Sequence, residues 1–265
     1  MNTTFVADAA QEITATSVAK MPRRVLLVSY LFPPTGGVGV LRVTKFTKYL
    51  AEFGWQPSIL TVSNPSVPLF DESLCRDIPT GTIIRKARTL EPGYGLKGAI
   101  SQGQNTKKGG LLSSFKHGLW SLARRVGTFC LQPDPQILWT PFAVREGLRL
   151  LREIPHDVIM VSGPPFSGFL VGAKLARKTG LPLVLDYRDE WGISNAHWEN
   201  KQQGWLSNTI QERMQRRVMR AAKLLLATTP SSAKSLAEGA ARAGDRKSTR
   251  LNSSHHAISR MPSSA

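Results

Sequence analysis

The stretch between Arg24 and Val62 constrains the fold of this chain more than any other. RVLLVSY (Arg24–Tyr30) is an apolar, β-branched run, typical of a strand that is buried on both faces. Apolar side chains then recur at three- and four-residue spacing from Val40 to Leu50, which predicts an amphipathic helix with a basic outer face. PSILTV (Pro57–Val62) predicts the next strand. Together these elements indicate a βαβ unit with a right-handed crossover.

The turn between the first strand and the helix carries glycines at positions 36, 37 and 39. In an open parallel sheet, ligands bind beyond the carboxyl ends of the strands, and glycines let backbone N–H groups approach an anion at a helix N-terminus. We therefore predict that Gly36, Gly37 and Gly39 bind a phosphate group of the substrate. The alternative is a turn in which the glycines only supply positive φ angles, since Arg42 occupies the position of the third glycine of a dinucleotide-binding fingerprint.

Strands and helices alternate along most of the remaining chain. The further predicted strands are 82–87, 157–162, 183–187 and 224–228, and the further helices are 142–154, 166–179 and 206–223, with a last helix that Ser231 or Ser232 caps. This order predicts the α/β fold class, as a Rossmann-like doubly wound parallel sheet over residues 23–243. Residues 1–22 and 244–265 are predicted to be disordered, and residues from about 90 to 110 to form a flexible excursion.

The formal net charge of +17 indicates an anionic partner. The tail from Asp245 onward resembles a translated sequencing adapter, which would make it artefactual, and the chain without it still carries +14. A predicted helix around Trp120 places Lys116, Arg124 and Arg125 beside an apolar face. These four residues are candidates for contact with an anionic membrane surface, and the alternative is an ordinary surface helix that packs on the core.

Several classes of site and location are not favoured by the sequence. Its two cysteines and five histidines lack the spacing of metal ligands, so we expect no metal site. No apolar run has the length of a membrane span, and residues 1–20 lack the order of a signal peptide. We therefore expect a cytoplasmic protein, in peripheral contact with the inner face of the cell membrane. Nucleic acid is a less favoured partner, because aromatic residues are not interleaved with the basic ones.

Two more strand ends carry polar or glycine residues that can bind a substrate. Ser162 and Gly163 follow one strand and are predicted to bind a phosphate or another part of the substrate, whereas Asp186, Arg188 and Asp189 end the next and are the catalytic candidates. The carboxyl ends of parallel strands share one edge, so these residues and the glycine turn should line one cleft. The arginine suits a phosphate, and either aspartate could orient a sugar hydroxyl. The alternative is an internal Arg–Asp ion pair that braces the loop.

Three segments in combination resemble a known family. They are RVLLVSYLFPPTGGVGV with the helix and strand that follow it, VSGPPFSG with LVLDYRDEW, and ERMQRRVMRAAKLLLATTPSSAKSL. They resemble the N-terminal domain of family 4 glycosyltransferases of the GT-B fold, in a branch that acts in bacterial surface-polysaccharide synthesis. Gly36 and Gly37 match the glycine loop of that family. Arg188 and Asp189 stand where many relatives carry a His-Asp pair, so no histidine role carries over to this position.

The resemblance implies one half of a two-domain enzyme, the half that holds mostly the acceptor. Such an enzyme transfers a sugar from a nucleotide-sugar to a hydroxyl or lipid-linked acceptor with retention of configuration, and it uses neither a metal nor another cofactor. The donor-binding domain is not in this sequence, so we expect a truncated chain that is inactive alone. The alternative function is a non-enzymatic, basic α/β domain that binds nucleotide, nucleic acid or an anionic membrane surface.

Overall fold

A parallel β-sheet forms the centre of the computed structural model, which describes residues 22–93, 131–191, 205–244 and 252–253. The strand order in the sheet is β3-β2-β1-β4-β5-β6-β7, and every neighbouring pair is parallel. The strands are β1 (Arg23–Val28), β2 (Trp55–Val62), β3 (Ile83–Ala87), β4 (Val158–Gly163), β5 (Leu183–Tyr187), β6 (Leu224–Ala227) and β7 (Asn252–Ser253). The predicted α/β class with a parallel sheet is confirmed.

Five α-helices and three short 3-10 helices connect the strands in the described part of the chain. The α-helices are α1 (Val38–Tyr49), α2 (Thr140–Glu153), α3 (Ser167–Thr179), α4 (Trp205–Ala221) and α5 (Pro230–Arg242). The 3-10 helices are Leu50–Phe53, Glu72–Asp77 and Pro135–Trp139. Each predicted helix and strand within these residues is present, with bounds that differ by a few residues at most.

The central strand β1 is buried on both faces, as its sequence predicts. Leu26 and Val28 belong to the larger apolar cluster, which includes residues of α2, α3, α4 and α5. Val25 and Leu27 belong to the smaller cluster on the other face, with Val43 of α1. Side chains alternate between the faces of a strand, so one apolar run supplies both clusters. Helices therefore cover both faces, which is the doubly wound arrangement.

The cap of the last helix differs from its prediction. Thr229, and not Ser231 or Ser232, is the N-cap of α5, and its hydroxyl accepts a hydrogen bond from the Ser232 backbone N–H at 3.1 Å. The physical reason is Pro230, whose fixed φ and missing N–H suit the first helical position and move the start of the helix toward the N-terminus. The serines then lie inside the first turn.

Some predicted segments lie outside the described residues. These include the candidate membrane-contact helix with Lys116, Trp120, Arg124 and Arg125, and most of the predicted 90–110 excursion. Within the tail that is predicted to be disordered, the structure describes Asn252–Ser253, which pair with β6. In the part of the chain that the structure describes, no helix is both long enough and apolar enough to cross a membrane.

Candidate functional site

The three predicted site segments follow three adjacent strands, β1, β4 and β5. The sheet changes direction at β1, which has β2 on one side and β4 on the other. This is the topological switch point, where open α/β sheets bind their ligands. The Arg188 backbone N–H donates to the Gly163 carbonyl at 3.0 Å, so the ends of β4 and β5 are in direct contact. The predicted gathering of these segments at one edge of the sheet is confirmed, and we call this edge the rim.

The N-terminus of α1 is open toward solvent. Gly37 is its N-cap, with a φ of 102°, and neither a side-chain cap nor an acidic residue is present in the first turn. Within the described residues, no acceptor pairs with the backbone N–H of Gly37, Val38 or Gly39. Val38 is 86% exposed, so no described residue covers this end of the helix. Unpaired N–H groups and the positive end of the helix dipole together make an anion-binding position.

Gly36 has a different role from the two glycines that follow it. Its backbone N–H donates to the Leu69 carbonyl at 3.0 Å, and the Asp71 N–H donates to the Pro34 carbonyl at 2.7 Å. The loop after β2 therefore holds the turn in place through backbone hydrogen bonds. Gly36 offers no free N–H to an anion, whereas Gly37 and Gly39 do. The phosphate contact itself stays a prediction for all three glycines.

Arg188 fixes the glycine turn to the loop after β4. Its guanidinium donates to the backbone carbonyls of Gly39, Gly163 and Pro164. A Cβ atom on Gly39 would lie 2.6 Å from Arg188 Nη1, so a larger residue here would displace the guanidinium from its present position. Burial lowers the pKa of Arg188, and the nearby charges of Asp186 and Asp189 act in the opposite direction. Two of its five N–H groups are not used in these bonds, so a positive charge beside the α1 N-terminus can still face an anion.

Asp186 is a structural partner of Arg42. The carboxylate is 0% exposed and accepts hydrogen bonds from Arg42 Nη2 at 2.7 Å and Nε at 2.8 Å. It accepts a further hydrogen bond from Ser162 Oγ at 2.8 Å. This geometry favours the internal ion pair that the sequence leaves open as an alternative, but the arginine is Arg42 and not Arg188. Asp189, by contrast, is exposed at the rim and is available to a ligand.

The loop after β4 has less capacity for an anion than the glycine turn. The Ser162 hydroxyl donates to Asp186, and the Gly163 carbonyl accepts from Arg188. The N-terminus of α3 is already occupied, because Asp134 Oδ2 accepts the Ser167 backbone N–H at 3.0 Å. An anion here would face that carboxyl group. The predicted phosphate contact of Ser162 and Gly163 is not favoured by this geometry and stays a prediction.

Asp134 is a buried carboxyl group that sequence reasoning missed. Burial raises its pKa to about 6, although the hydrogen bonds from Ser167 act in the opposite direction. Its Oδ1 atom has no hydrogen-bond partner among the described residues. Its position between Pro133 and Pro135 predicts no more than a local turn. Its carboxylate instead accepts the N–H of Ser167, 33 residues further along the chain, so no local signal indicated this contact.

A second missed group joins Tyr30, Glu91 and Gln136. The Tyr30 hydroxyl donates to one Glu91 carboxylate oxygen, and Gln136 Nε2 donates to the other at 2.9 Å. Burial and the hydrogen bond to Glu91 raise the pKa of Tyr30. Glu91 and Gln136 stand on either side of the range 94–130 in the chain. The network therefore fixes both flanks of that range beside the end of β1.

No metal-binding cluster is present in the described ranges, where His, Cys, Asp and Glu side chains never gather in threes. The charged groups described above at the rim are Arg188, the exposed Asp189 and the N-terminus of α1.

Comparisons with known proteins give both structural similarities and a family match. Among solved structures, sucrose-phosphate synthase from Thermosynechococcus elongatus is similar with a TM-score of 0.49 and 13% identity, covering 82% of this chain and 45% of that one. The apo UGT2 of Phytolacca americana gives a TM-score of 0.46 and 10% identity, covering 87% of this chain and 51% of that one. The chain thus spans about half the length of these structures. A search of curated proteins gives no significant match.

A family profile gives the decisive match. The profile described as the Glycosyl transferase 4-like domain matches residues 36–246. This range includes the glycine turn from Gly36 onward, α1, and the strand ends at Ser162 and Asp186. Because the match covers most of the chain and all three parts of the rim, the chain belongs to the family of glycosyl transferase 4-like domains.

Proposed function

We propose that this chain is the acceptor-side half of a retaining, nucleotide-sugar-dependent glycosyltransferase of bacterial surface-polysaccharide synthesis. The family supports sugar transfer as the reaction. The observation that carries the assignment of the site is the open N-terminus of α1 at the switch point of the sheet. There the backbone N–H groups of Gly37, Val38 and Gly39 have no acceptor among the described residues. This acceptor-side half is proposed to be inactive when it is tested alone.

The proposed reaction moves a glycosyl group from the donor to a hydroxyl of the acceptor. The bond between the anomeric carbon and the diphosphate breaks, and a new bond to the acceptor oxygen forms, with the same anomeric configuration. Negative charge develops on the departing diphosphate. The N–H groups at the start of α1 and the guanidinium of Arg188 are placed to stabilise this charge in the proposal, without a metal ion or another cofactor.

The acceptor is proposed to bind at the same rim. Asp189 is exposed beside Arg188, so its carboxylate can accept a hydrogen bond from the acceptor hydroxyl. Asp186 is excluded from this role by its ion pair with Arg42 and its complete burial. We also propose that the acceptor is linked to a lipid. The protein is proposed to be cytoplasmic and to lie at the inner face of the cell membrane.

The test joins this chain to the donor-binding domain of another member of the family. We expect transfer from at least one member of a panel of UDP-, GDP- and dTDP-sugars, and proton NMR of the product should show the anomeric configuration of the donor. Val38→Asp should abolish transfer, because it places a carboxylate at the anion position, whereas the uncharged Val38→Asn should retain it. Absence of nucleotide-sugar binding in every fusion would contradict the proposal.

The same preparations test the non-enzymatic alternative. A basic domain that binds nucleic acid should show affinity for generic duplex DNA that falls steeply with salt. That affinity should not change in Arg188→Ala, because generic binding depends on the summed charge of the basic surface and not on one arginine at the rim. DNA binding of this kind without any sugar transfer would favour the alternative.

A further inference from the structure

Helices α3 and α4 border a groove at the edge of the sheet opposite the rim. The groove has a volume of about 780 Å³ and is lined by the residues that immediately precede β5 and β6. Its floor is apolar and includes Leu170, Leu181 and Val218. Its walls carry five basic side chains and no acidic one, namely Lys174, Arg177, Arg217, Arg220 and Lys223. A groove with this lining favours an anionic ligand that also has an apolar part.

One face of α4 extends this basic surface. At about 100° per residue, seven side chains fall within an arc of about 120°. They are Trp205, Leu206, Thr209, Arg213, Arg216, Arg217 and Arg220. Trp205 is 79% exposed and Leu206 is 46% exposed. The helix therefore presents two apolar side chains at its N-terminus and four arginines along the rest of the same face.

Most of this positive charge is not neutralised by the residues that the structure describes. Arg216 pairs with Glu212 at 3.5 Å, and Arg220 donates to the Ala243 carbonyl at 2.6 Å. The other cations of the groove and of α4 form no ion pair with any residue that the structure describes, and these are Lys174, Arg177, Arg213, Arg217 and Lys223. Like charges held this close repel one another, so the binding of an anionic partner would relieve the repulsion.

We propose that the groove and this face of α4, together the α3–α4 surface, bind the anionic head groups of a phospholipid membrane. The arginines and lysines contact phosphate groups, while Trp205 and Leu206 enter the boundary between head groups and acyl chains. A nucleic acid would use the charges, but it would leave Leu206 and the apolar floor in water. The α3–α4 surface combines cations with the apolar N-terminus of α4 and the apolar floor of the groove. This combination favours a phospholipid membrane over a nucleic acid.

This inference rests on the proposed function for the presence of a membrane, and it adds the surface of the protein that contacts the lipid. The α3–α4 surface lies at the amino ends of β5 and β6, whereas the rim lies at the carboxyl ends of β1, β4 and β5. A membrane at the first edge leaves the second open, so a lipid-linked acceptor has to extend from the membrane over the length of a strand, about 17–20 Å, to reach the rim. Vesicle binding is measured without a sugar donor. A chain that does not bind vesicles could therefore still transfer sugar, and a chain that does not transfer sugar could still bind vesicles.

The experiment is co-sedimentation of the whole chain with two kinds of vesicle. One contains phosphatidylcholine alone, and the other contains phosphatidylcholine mixed with phosphatidylglycerol. We expect binding to the mixed vesicles only. Each cation near an anionic surface strengthens binding roughly five-fold, so the triple variant Arg213→Gln, Arg217→Gln, Lys223→Gln should bind on the order of 100-fold more weakly.

A matched triple variant controls for net charge. Arg76→Gln, Lys86→Gln, Arg145→Gln removes the same charge from exposed side chains on the Glu72–Asp77 helix, β3 and α2. It should bind the mixed vesicles nearly as well as the unchanged chain. Trp205→Ser should weaken binding several-fold and abolish the part that persists at high salt, because that part depends on apolar contact. Thermal unfolding of each variant checks that all of them are folded.

Several outcomes would overturn the inference. Equal losses in the two triple variants would mean that only net charge matters. Tight binding to duplex DNA with none to either vesicle would assign the surface to nucleic acid. Binding that survives the α4 triple variant but disappears in Lys116→Gln, Arg124→Gln, Arg125→Gln would place the lipid contact on the helix predicted around Trp120.

Discussion

Arg42 of α1 and Asp186 of β5, which lie 144 residues apart in the chain, form a two-pronged ion pair directly below the rim. Arg42 Nη2 is 2.7 Å from Asp186 Oδ1, and the aspartate side chain is 0% exposed. The pair joins the helix that begins at the glycine turn to the strand that carries Arg188 and Asp189. It therefore sets the distance between the open helix N-terminus and the charged end of β5.

Arg42→Ala should destabilise the protein by about 3 kcal/mol or more, since it leaves a fully buried carboxylate with only the Ser162 hydroxyl. Arg42→Lys should recover part of the loss, because one ammonium group replaces a two-pronged guanidinium. Chemical denaturation measures both changes. The control is Lys45→Ala, which removes a partly exposed ion pair with Asp77 and should cost no more than about 1 kcal/mol. Equal costs for the two alanine variants would contradict the account.

Gly39→Ala should destabilise the rim by about 1–3 kcal/mol, because the new Cβ would lie 2.6 Å from Arg188 Nη1. The guanidinium would have to leave at least one of its three carbonyl partners. The shift in the thermal unfolding midpoint measures the effect. Gly93→Ala is the matched control, since a Cβ there meets nothing within 4 Å.

The same steric clash predicts that substitutions at Gly39 and Arg188 have non-additive effects on stability. Arg188→Ala removes the atom that the new methyl group would meet, so Gly39→Ala should cost less in that background than in the unchanged chain. A strictly additive double variant would show that the turn does not depend on Arg188.

Asp134→Asn should change the dependence of stability on pH. The folded-state pKa of about 6 lies above the usual 3.8, so the fold favours the protonated carboxyl group. This contribution is present at the acid end and is lost as the pH rises through about 6, at a cost of about 3 kcal/mol when the group is ionised. Asparagine does not ionise, and its carbonyl oxygen can still accept the Ser167 N–H.

The measurement is the unfolding midpoint of both proteins between about pH 4 and about pH 8. The stability of Asp134→Asn relative to the unchanged chain should rise across this range. Asp134→Ala, which also removes the acceptor of the Ser167 N–H, should be less stable than Asp134→Asn at every pH. A difference between the asparagine variant and the unchanged chain that stays constant with pH would contradict the assigned pKa.

Val38→Asp should increase the stability of the protein but abolish anion binding at the N-terminus of α1. Val38 is 86% exposed in the first turn of α1, so the new carboxylate meets the helix dipole without a steric clash. We expect a gain in stability of about 0.3–1 kcal/mol together with the loss of anion binding at this position. Val38→Asn, which is nearly the same size and uncharged, should leave binding in place. Calorimetric titration with inorganic pyrophosphate measures the binding.

The elements of the fold were predictable because each has a strong local pattern. The run Arg24–Tyr30 is apolar at every position that the two cores need, and Gly54 and Gly180 end their helices with φ angles of 73° and 75°. The cap of α5 was not predictable in the same way. Three hydroxyl residues lie within four positions there, and the choice among them depends on Pro230.

For the site, the sequence predicts which strand ends carry the residues, but not which side chains contact one another. A strand end tells which edge of the sheet a residue occupies, and this placed the glycine turn, Ser162 and Arg188 together. It does not tell which side chains pair, because the pairing of Arg42 with Asp186 joins elements 144 residues apart. The burial of Asp134 and the tyrosine–glutamate contact depend on tertiary packing in the same way, so only the three-dimensional structure shows them.

The most direct test of the account is the backbone N–H spectrum of the chain by two-dimensional NMR during a titration with pyrophosphate. We predict that the resonances of Gly37, Val38 and Gly39 shift together and saturably, and that the shifts disappear in Val38→Asp but not in Val38→Asn. Shifts centred instead on Gly163 and Ser167, or no saturable shift anywhere, would contradict the claim that the open N-terminus of α1 is the anion site of this glycosyl transferase 4-like domain.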